Sequence, residues 1–121
     1  MDRDRVAQWL QRYVEAWETY DPAKIEDLFS EDVTYRYHPY DEPIVGRKVL
    51  VESWLEEPDK PGTYEATYEP VAVDGEVAVA VGHSSYRMDD GSTVVYDNCF
   101  VMRFDDAGRC KAFTEWFIKR P

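Results

Sequence analysis

The sequence predicts an α+β fold, with N-terminal helices packed in the concave face of a strongly curved, mostly antiparallel sheet. Two observations predict it. Apolar residues recur at helical spacing in the first half of the chain, and strand-like segments joined by Asp-Gly turns fill the second half. Helices followed by a run of strands are typical of α+β architectures. At 121 residues we expect one domain, residues 1–121.

Three helices are predicted in the first half. An amphipathic helix over 4–20 is indicated by a stripe of apolar residues: Val6, Trp9, Leu10, Tyr13, Val14 and Trp17. Asp21-Pro22 is a typical start for a short second helix. A strand over 33–37 and the loop HPYDEPIVG then lead to a third helix over 47–55.

The second half is predicted to be an antiparallel meander. Its four strands cover about 63–73, 76–88, 93–104 and 109–119. Asp74-Gly75 and Asp90-Gly91 are typical two-residue hairpin turns, and residues 105–108 indicate a four-residue loop.

These turns predict which side chains share one face of the sheet, because side chains alternate along a strand. With Asp90 and Gly91 at the centre of their turn, His83 lies opposite Asn98 and Ser85 opposite Tyr96. With a loop over 105–108, Asn98 lies opposite Glu115. A polar row of His83, Asn98 and Glu115 is therefore predicted on the face that points toward the helices.

The same face is predicted to be rich in aromatic residues, and it would line a cavity. We expect substrate-binding side chains from the sheet and the helices: Trp17, Tyr37, Trp54, Ser85, Tyr96, Phe100, Phe113 and Phe117. Such side chains suit a cavity that is apolar but has polar tips.

Glu115 lies between Phe113 and Phe117 on this face, and its role has three interpretations. Burial among aromatic residues disfavours the charged carboxylate, which would raise its pKa and make it a usable base near neutral pH. His83 could then act as the complementary acid, and Asn98 could orient either group. Alternatively, Glu115 contacts a ligand without chemistry, or it is a satisfied polar group of the core.

Composition and charge exclude several classes of function. The net charge of −11 argues against nucleic acid and anionic membrane surfaces as partners. No apolar run is long enough to span a bilayer and MDRDRVAQW lacks signal-peptide features, so a cytoplasmic location is expected. Cys99 and Cys110 are expected to be free thiols.

Neither a metal nor an organic cofactor is expected. His38 and His83 have no Cys or carboxylate at a ligand spacing around them. The outer face of the sheet, in contrast, is predicted to be apolar, with Ala78, Ala80, Gly82, Val101, Thr114, Trp116 and Ile118. An apolar patch of this kind usually marks a partner interface, and we expect a homodimer packed sheet to sheet.

Three stretches carry a resemblance to a known family. RYVEAWETYD, EPIVGRKVL and VMRFDDAGRCKAF resemble the nuclear transport factor 2-like superfamily, in its SnoaL-like branch. The resemblance covers nearly the whole chain and implies a cone-shaped α+β fold and a homodimer. The superfamily includes ketosteroid isomerases, dehydratases, epoxide hydrolases, polyketide cyclases and non-enzymatic transport domains, so a fold alone does not give the activity.

Compared with ketosteroid isomerases, Tyr13 matches the tyrosine that donates to the substrate oxyanion. The general-base aspartate of that family falls on Tyr37, and its second oxyanion donor falls on Phe100, so steroid isomerisation is not expected. SnoaL-type polyketide cyclases instead resemble this chain in carrying a carboxylate on the last strand, although theirs is an aspartate. Glu115 stands at that place.

We therefore expect a cofactor-independent acid/base enzyme of the isomerase, cyclase, dehydratase or hydrolase type, acting on a small hydrophobic oxygenated substrate. Glu115 is the candidate base, and His83, Asn98 and Tyr13 would stabilise the developing charge. The alternative is a non-catalytic ligand-binding or dimeric structural domain of the same fold.

Overall fold

The structure is a computed structural model that describes residues 1–121, with three helices and one six-stranded sheet. In chain order the elements are α1 (Arg3–Thr19), α2 (Pro22–Leu28), β1 (Phe29–Arg36), β2 (Ile44–Val45), α3 (Arg47–Glu56), β3 (Tyr64–Asp74), β4 (Val77–Arg87), β5 (Thr93–Phe104) and β6 (Cys110–Lys119). The predicted α+β class is confirmed. No helix is both long and apolar enough to cross a membrane.

The sheet has the strand order β2-β1-β6-β5-β4-β3. Strands β3 to β6 form the predicted antiparallel meander. β1 returns alongside β6 as the one parallel pair, and β2 adds antiparallel to β1. The stretch HPYDEPIVG is therefore not only a loop, since its Ile44 pairs with Tyr35.

Capping residues fix both ends of α1 and the start of α2. Asp2 accepts a hydrogen bond from the Arg5 N–H at 2.8 Å and so satisfies a free donor in the first turn. The helix ends at Tyr20, which adopts a left-handed conformation with φ of 49°. Asp21 accepts from the Ala23 N–H and begins α2, with Pro22 in the first turn.

The core lies between α1 and the concave face of the sheet. Trp9 is fully buried, and its ring stacks on Tyr13 and meets the edges of Phe29 and Phe104. Phe100 and Phe113 are each 1% exposed and close the core from the sheet side. These aromatic residues support the end of the sheet on which the candidate site is built.

The register of β4 differs from the prediction by one residue. His83 pairs with Asp97 and not with Asn98, and Ser85 pairs with Val95 and not with Tyr96. The loop has five residues, 88–92, because Asp90 accepts hydrogen bonds from both the N–H and the hydroxyl of Ser92 and widens the turn.

A shift of one residue moves every side chain of β4 to the other face. His83 is exposed, Ser85 is half-buried on the outer face, and Ser84 is buried on the inner face. Ala78, Ala80 and Gly82, predicted to face outward, point into the core. The register toward β3 also differs by one residue, and Ala66 pairs with Ser84. The turn residues are Gly75 and Glu76, which alone would shift the register by two, and the bulge between Pro70 and Ala72 takes one residue back.

The register between β5 and β6 differs by two residues, which preserves the faces. Asn98 pairs with Phe117 and Phe100 pairs with Glu115, whereas the prediction paired Asn98 with Glu115. The loop has five residues, closed by the Asp105 N–H donating to the Arg109 carbonyl, and a bulge follows it. Glu115 and Asn98 thus remain on the concave face as diagonal neighbours.

Candidate functional site

A cavity of about 630 Å³ opens between the helices and the concave face of the sheet. This volume lies within the range of small-molecule sites, roughly 300–1,000 Å³. Ten of its 21 lining residues are aromatic, so an apolar or aromatic ligand would be surrounded by rings. These ten are Tyr13, Trp17, Tyr20, Tyr35, Tyr37, Trp54, Tyr68, Tyr86, Tyr96 and Phe117.

A row of hydrogen-bonded side chains crosses the sheet at the cavity wall. The Ser84 hydroxyl donates to Asn98 Oδ1 at 3.1 Å, and Asn98 Nδ2 donates to Glu115 Oε2 at 2.8 Å. The residues come from β4, β5 and β6, and both Ser84 and Asn98 are buried. The row therefore holds one oxygen of Glu115 in place, and Oε1 accepts no hydrogen bond from the protein.

The environment of Glu115 changes its acidity. Burial raises the pKa of this carboxyl to about 7, because a charged carboxylate loses its hydration there. The hydrogen bond from Asn98 and the charge of His38 act in the opposite direction but are weaker. Near neutral pH, Glu115 is thus divided between an acid and a base form.

Two tyrosine hydroxyls lie close to each other in the cavity. The oxygens of Tyr13 and Tyr35 are 3.0 Å apart and form a hydrogen bond. Burial, with the nearby Glu115 carboxylate adding to it, raises the pKa of both phenols well above the usual value. Both phenols remain protonated at neutral pH; one donates to the other, and the second O–H is left to donate to a ligand oxygen.

A histidine–aspartate pair lies next to this wall. His38 Nδ1 lies 2.8 Å from Asp41 Oδ2, and the imidazole ring contacts Phe117 with ring centroids 5.0 Å apart. Because His38 carries positive charge when protonated, it lowers the pKa of Glu115. His38 is the histidine that influences the site, in place of His83.

The mouth of the cavity has its own polar network on the helix side. The Tyr20 hydroxyl and Trp17 Nε1 both donate to Asp59 Oδ2, at 3.2 and 3.1 Å. The Asp59 N–H in turn donates to the Tyr20 hydroxyl at 2.9 Å. These bonds tie the segment after α3 to the end of α1 and shape the rim.

The structure brings most of the residues predicted for the site to the cavity. The lining residues among them are Glu115, Asn98, Tyr13, Trp17, Tyr37, Trp54, Tyr96 and Phe117. Phe100 and Phe113 lie on the same face but are packed in the core. His83 and Ser85 are on the outer face, so the placement of these two in the site is wrong. The catalytic and binding roles stay predictions.

Several lining residues were missed. Ser84 went unnoticed because the predicted register placed it on the outer face. Tyr35 lies in β1, and its alternation with Tyr37 was a usable signal, since both face the cavity. Tyr86 was missed for the same reason as Ser84, because the two residues share one face of β4. Tyr68 was expected on the concave face but not among the substrate-binding residues.

No three His, Cys, Asp or Glu side chains form a group that could hold a metal ion. Cys99 and Cys110 are free cysteines; Cys110 is buried, and Cys99 is only partly buried. Burial raises the pKa of the Cys110 thiol, so it is not a reactive thiolate.

Comparisons with known proteins agree with this architecture. An NTF-2 like protein of unknown function from Burkholderia xenovorans LB400 superposes with a TM-score of 0.70 at 20% identity, covering 98% of this chain and 88% of that chain. An NTF2-like protein of unknown function from Cytophaga hutchinsonii ATCC 33406 gives a TM-score of 0.66 at 15% identity, covering 93% and 98%. At these identities the similarity shows the fold. No curated protein matches the chain in sequence.

The family comparison covers most of the sequence. The SnoaL-like domain matches residues 10–113, from the middle of α1 into β6. This span includes Tyr13, Tyr35, Ser84 and Asn98 and ends two residues before Glu115. The predicted resemblance to the SnoaL-like branch is confirmed: the chain shares the fold of these NTF2-like proteins, and it belongs to the SnoaL-like domain family.

Proposed function

We propose that this chain binds a small hydrophobic oxygenated molecule in the cavity and that Glu115 acts on it as a general base. The reaction would be an isomerisation, cyclisation, dehydration or hydrolysis without a cofactor. One observation carries the proposal: a half-buried carboxyl with a pKa of about 7 faces an aromatic cavity. A base is most effective when its pKa lies near the working pH.

The arrangement supports a division of roles. Glu115 Oε2 is fixed by Asn98, so Oε1 is free to take a proton from the ligand. The bonded pair of Tyr13 and Tyr35 has one O–H left near the same carboxylate, and this O–H can stabilise an oxyanion that forms on the ligand. Tyr13 keeps the role that the sequence predicts for it, Tyr35 stands in the place of His83, and Asn98 acts as a positioning residue.

A binding site without chemistry is the second candidate. The continuous row from Ser84 through Asn98 to Glu115 favours it, because such a row also satisfies a carboxyl that only anchors a ligand. Turnover separates the two candidates. Saturable turnover that falls by about 10²- to 10⁴-fold in Glu115→Gln supports the base, and binding without turnover supports the anchor.

The first test is the titration of Glu115 by carboxyl-carbon NMR, with Glu115→Gln used to assign its signal. We expect a pKa of about 7, against a reference of about 4.3 for a free glutamate. Such a value places the carboxyl in a desolvated site as a base for neutral pH. A pKa near the reference contradicts the proposal, because Glu115 would then be hydrated and fully charged.

We also propose that the outer face of the sheet binds a second copy of this chain. Trp116 is 42% exposed and Ile118 is 73% exposed, and both lie on this face beside valines of β4 and β5. Four strands of about ten residues present roughly 600 Å² in the plane of the sheet. With protruding side chains this area is on the order of the ~800 Å² per partner of a standard interface, and a two-fold axis pairs the face with itself.

Analytical ultracentrifugation of Trp116→Arg tests this interface. Trp116 pairs with Cys99, which pairs with Val81, so it lies within the apolar face. We expect the wild type to sediment as a dimer and Trp116→Arg as a monomer, because the variant would bury an unpaired charge. Tyr40→Arg, at an 81% exposed loop position, is the control. A monomeric wild type, or a dimer that survives Trp116→Arg, contradicts the proposal.

A further inference from the structure

Two basic side chains lie at the mouth of the cavity on its sheet side. Arg87 is the last residue of β4 and Lys119 is the last residue of β6, and both line the cavity. Lys119 pairs with Tyr96 of β5, and Arg87 pairs with Thr93 of the same strand. Lys119 shares the concave face with Glu115 and Phe117, whereas Arg87 follows the inward-facing Tyr86 and lines the opening from the end of β4.

Neither charge is neutralised by the protein. Eight of the 14 basic residues pair with carboxylates within 4.0 Å, and Arg87 and Lys119 are not among them. The Arg87 guanidinium donates only to the Gly62 carbonyl, at 3.4 Å. In a chain with 25 acidic residues, two unpaired bases at the entrance of a cavity are available to a ligand.

Lys119 also continues the row of side chains that leads to Glu115. Phe113, Glu115, Phe117 and Lys119 alternate along β6 and share its concave face. Lys119 is four positions after Glu115, which is roughly 13 Å along the strand. A ligand held at Lys119 would extend over Phe117, and its far end would reach Glu115.

The opposite rim carries charge of the other sign. Glu57 and Asp59 line the cavity on the helix side. The Asp59 carboxylate is already bound by Trp17 and Tyr20, which leaves it a fixed negative charge. Two rims of opposite sign orient a ligand, because an anionic group is attracted to the sheet side and repelled from the helix side.

We infer that the ligand of this cavity has an aromatic or apolar body and a terminal anionic group, a carboxylate or a comparable oxyanion, which Lys119 and Arg87 bind at the mouth. This inference rests on the proposed function in that it takes the cavity as a ligand site, and it names the substrate class. The anionic group is the handle that places the reactive end of the molecule beside Glu115.

A matched pair of fluorescent probes tests the anionic handle on the full chain. The first probe is 1-anilinonaphthalene-8-sulfonate, and the second is N-phenyl-1-naphthylamine, which has the same aromatic body without the sulfonate. We expect the wild type to bind the sulfonate more tightly. In the double variant Arg87→Gln/Lys119→Gln the sulfonate should lose about tenfold in affinity, or 1.4 kcal/mol, while the neutral probe changes less than about twofold.

The control is Arg12→Gln/Lys24→Gln, which removes the same two charges from exposed positions on α1 and α2. An equal loss of sulfonate affinity in the control, or equal losses of both probes in the double variant, overturns the anionic handle. If neither probe binds the wild type, the cavity is not a ligand site. That result contradicts both the anionic ligand and the proposed function. If only the sulfonate probe loses affinity in Arg87→Gln/Lys119→Gln, the anionic handle is supported. If turnover is also unchanged in Glu115→Gln, Glu115 is not the base.

Discussion

Replacing Glu115 by glutamine is expected to stabilise the protein at pH 8, by up to about 3 kcal/mol in the free energy of unfolding. The carboxyl has a pKa of about 7 in the folded chain, against an ordinary value of 4.5 for a solvated glutamate. Keeping the group charged in the cavity therefore opposes folding at high pH. Glutamine has the same shape, stays neutral, and can still accept the hydrogen bond from Asn98.

The effect must depend on pH in one direction. At pH values well below 4.5 the carboxyl is protonated in both states, so the wild type and Glu115→Gln should be equally stable. Between the two pKa values the folded chain keeps a proton that the unfolded chain releases, so the stability of the wild type falls as pH rises. Above pH 7 the whole difference has developed.

Urea unfolding of both proteins at pH 4 and pH 8 measures this difference. The control is Glu69→Gln, because Glu69 is an exposed glutamate on the outer side of β3. It should change stability by less than about 0.5 kcal/mol at either pH. A variant Glu115→Gln that is less stable than the wild type at pH 8 contradicts the prediction. Glu115 would then be a structural group that needs its charge.

Such a gain has a meaning for function. A residue whose removal stabilises the fold is retained against stability, and this is typical of sites where activity needs a strained or desolvated group. The gain at pH 8 and a loss of turnover in the same variant would together identify Glu115 as a base. A gain without any activity would leave the binding site as the explanation.

The sequence predicts correctly that Glu115 lies on the concave face, although it predicts the wrong β5–β6 register. The face is right because the register error is an even number of residues. The predicted loop and the observed loop with its bulge differ by two residues, and an even shift returns each side chain to its own face. The contact between Asn98 and Glu115 survives because diagonal neighbours on a sheet are within reach of long side chains.

The face of β4 was not predictable from Asp90-Gly91 alone. This dipeptide is typical of a two-residue turn, but Asp90 instead binds Ser92 and lengthens the loop by an odd number of residues. His83 therefore faces outward and Ser84 faces inward, the reverse of the prediction. The alternation of small residues in AVAVGHS was the better signal, because Ala78, Ala80 and Gly82 fit under the aromatic core. Gly82 has no room for a side chain, as an added Cβ would lie 2.7 Å from the Tyr68 ring.

The contributions of Tyr35 and His38 depend on contacts that the sequence does not encode locally. β1 joins β6 as a parallel strand across about 75 residues of chain, and no turn indicates its register. This pairing places Tyr35 beside Phe113, with ring centroids 4.4 Å apart, and brings His38 to Phe117. A parallel pair is set by the helices that pack around it, so it follows from the whole fold.

Replacing Trp9 by alanine is expected to destabilise the protein by about 3–5 kcal/mol. Trp9 is fully buried, and its ring contacts Tyr13, Phe29, Phe104 and Phe113 from α1, β1, β5 and β6. Its Nε1 also donates to the Leu28 carbonyl at 3.0 Å, which joins α1 to the end of α2. The substitution removes all of these contacts and leaves a cavity.

The loss should be measured by urea unfolding at one protein concentration, with Trp9→Phe as the control. Phenylalanine keeps an aromatic ring in the core and loses only part of the volume and the bond to Leu28, so a smaller loss of about 1–2 kcal/mol is expected. A domain of this size has roughly 5–15 kcal/mol of stability in total, so Trp9→Ala removes a large part of it. Equal stability of the wild type and Trp9→Ala would mean that α1 does not pack on the sheet through this residue. Tyr13 lines the cavity beside Glu115 and stacks on Trp9. In that case residues other than Trp9 would hold Tyr13 in place.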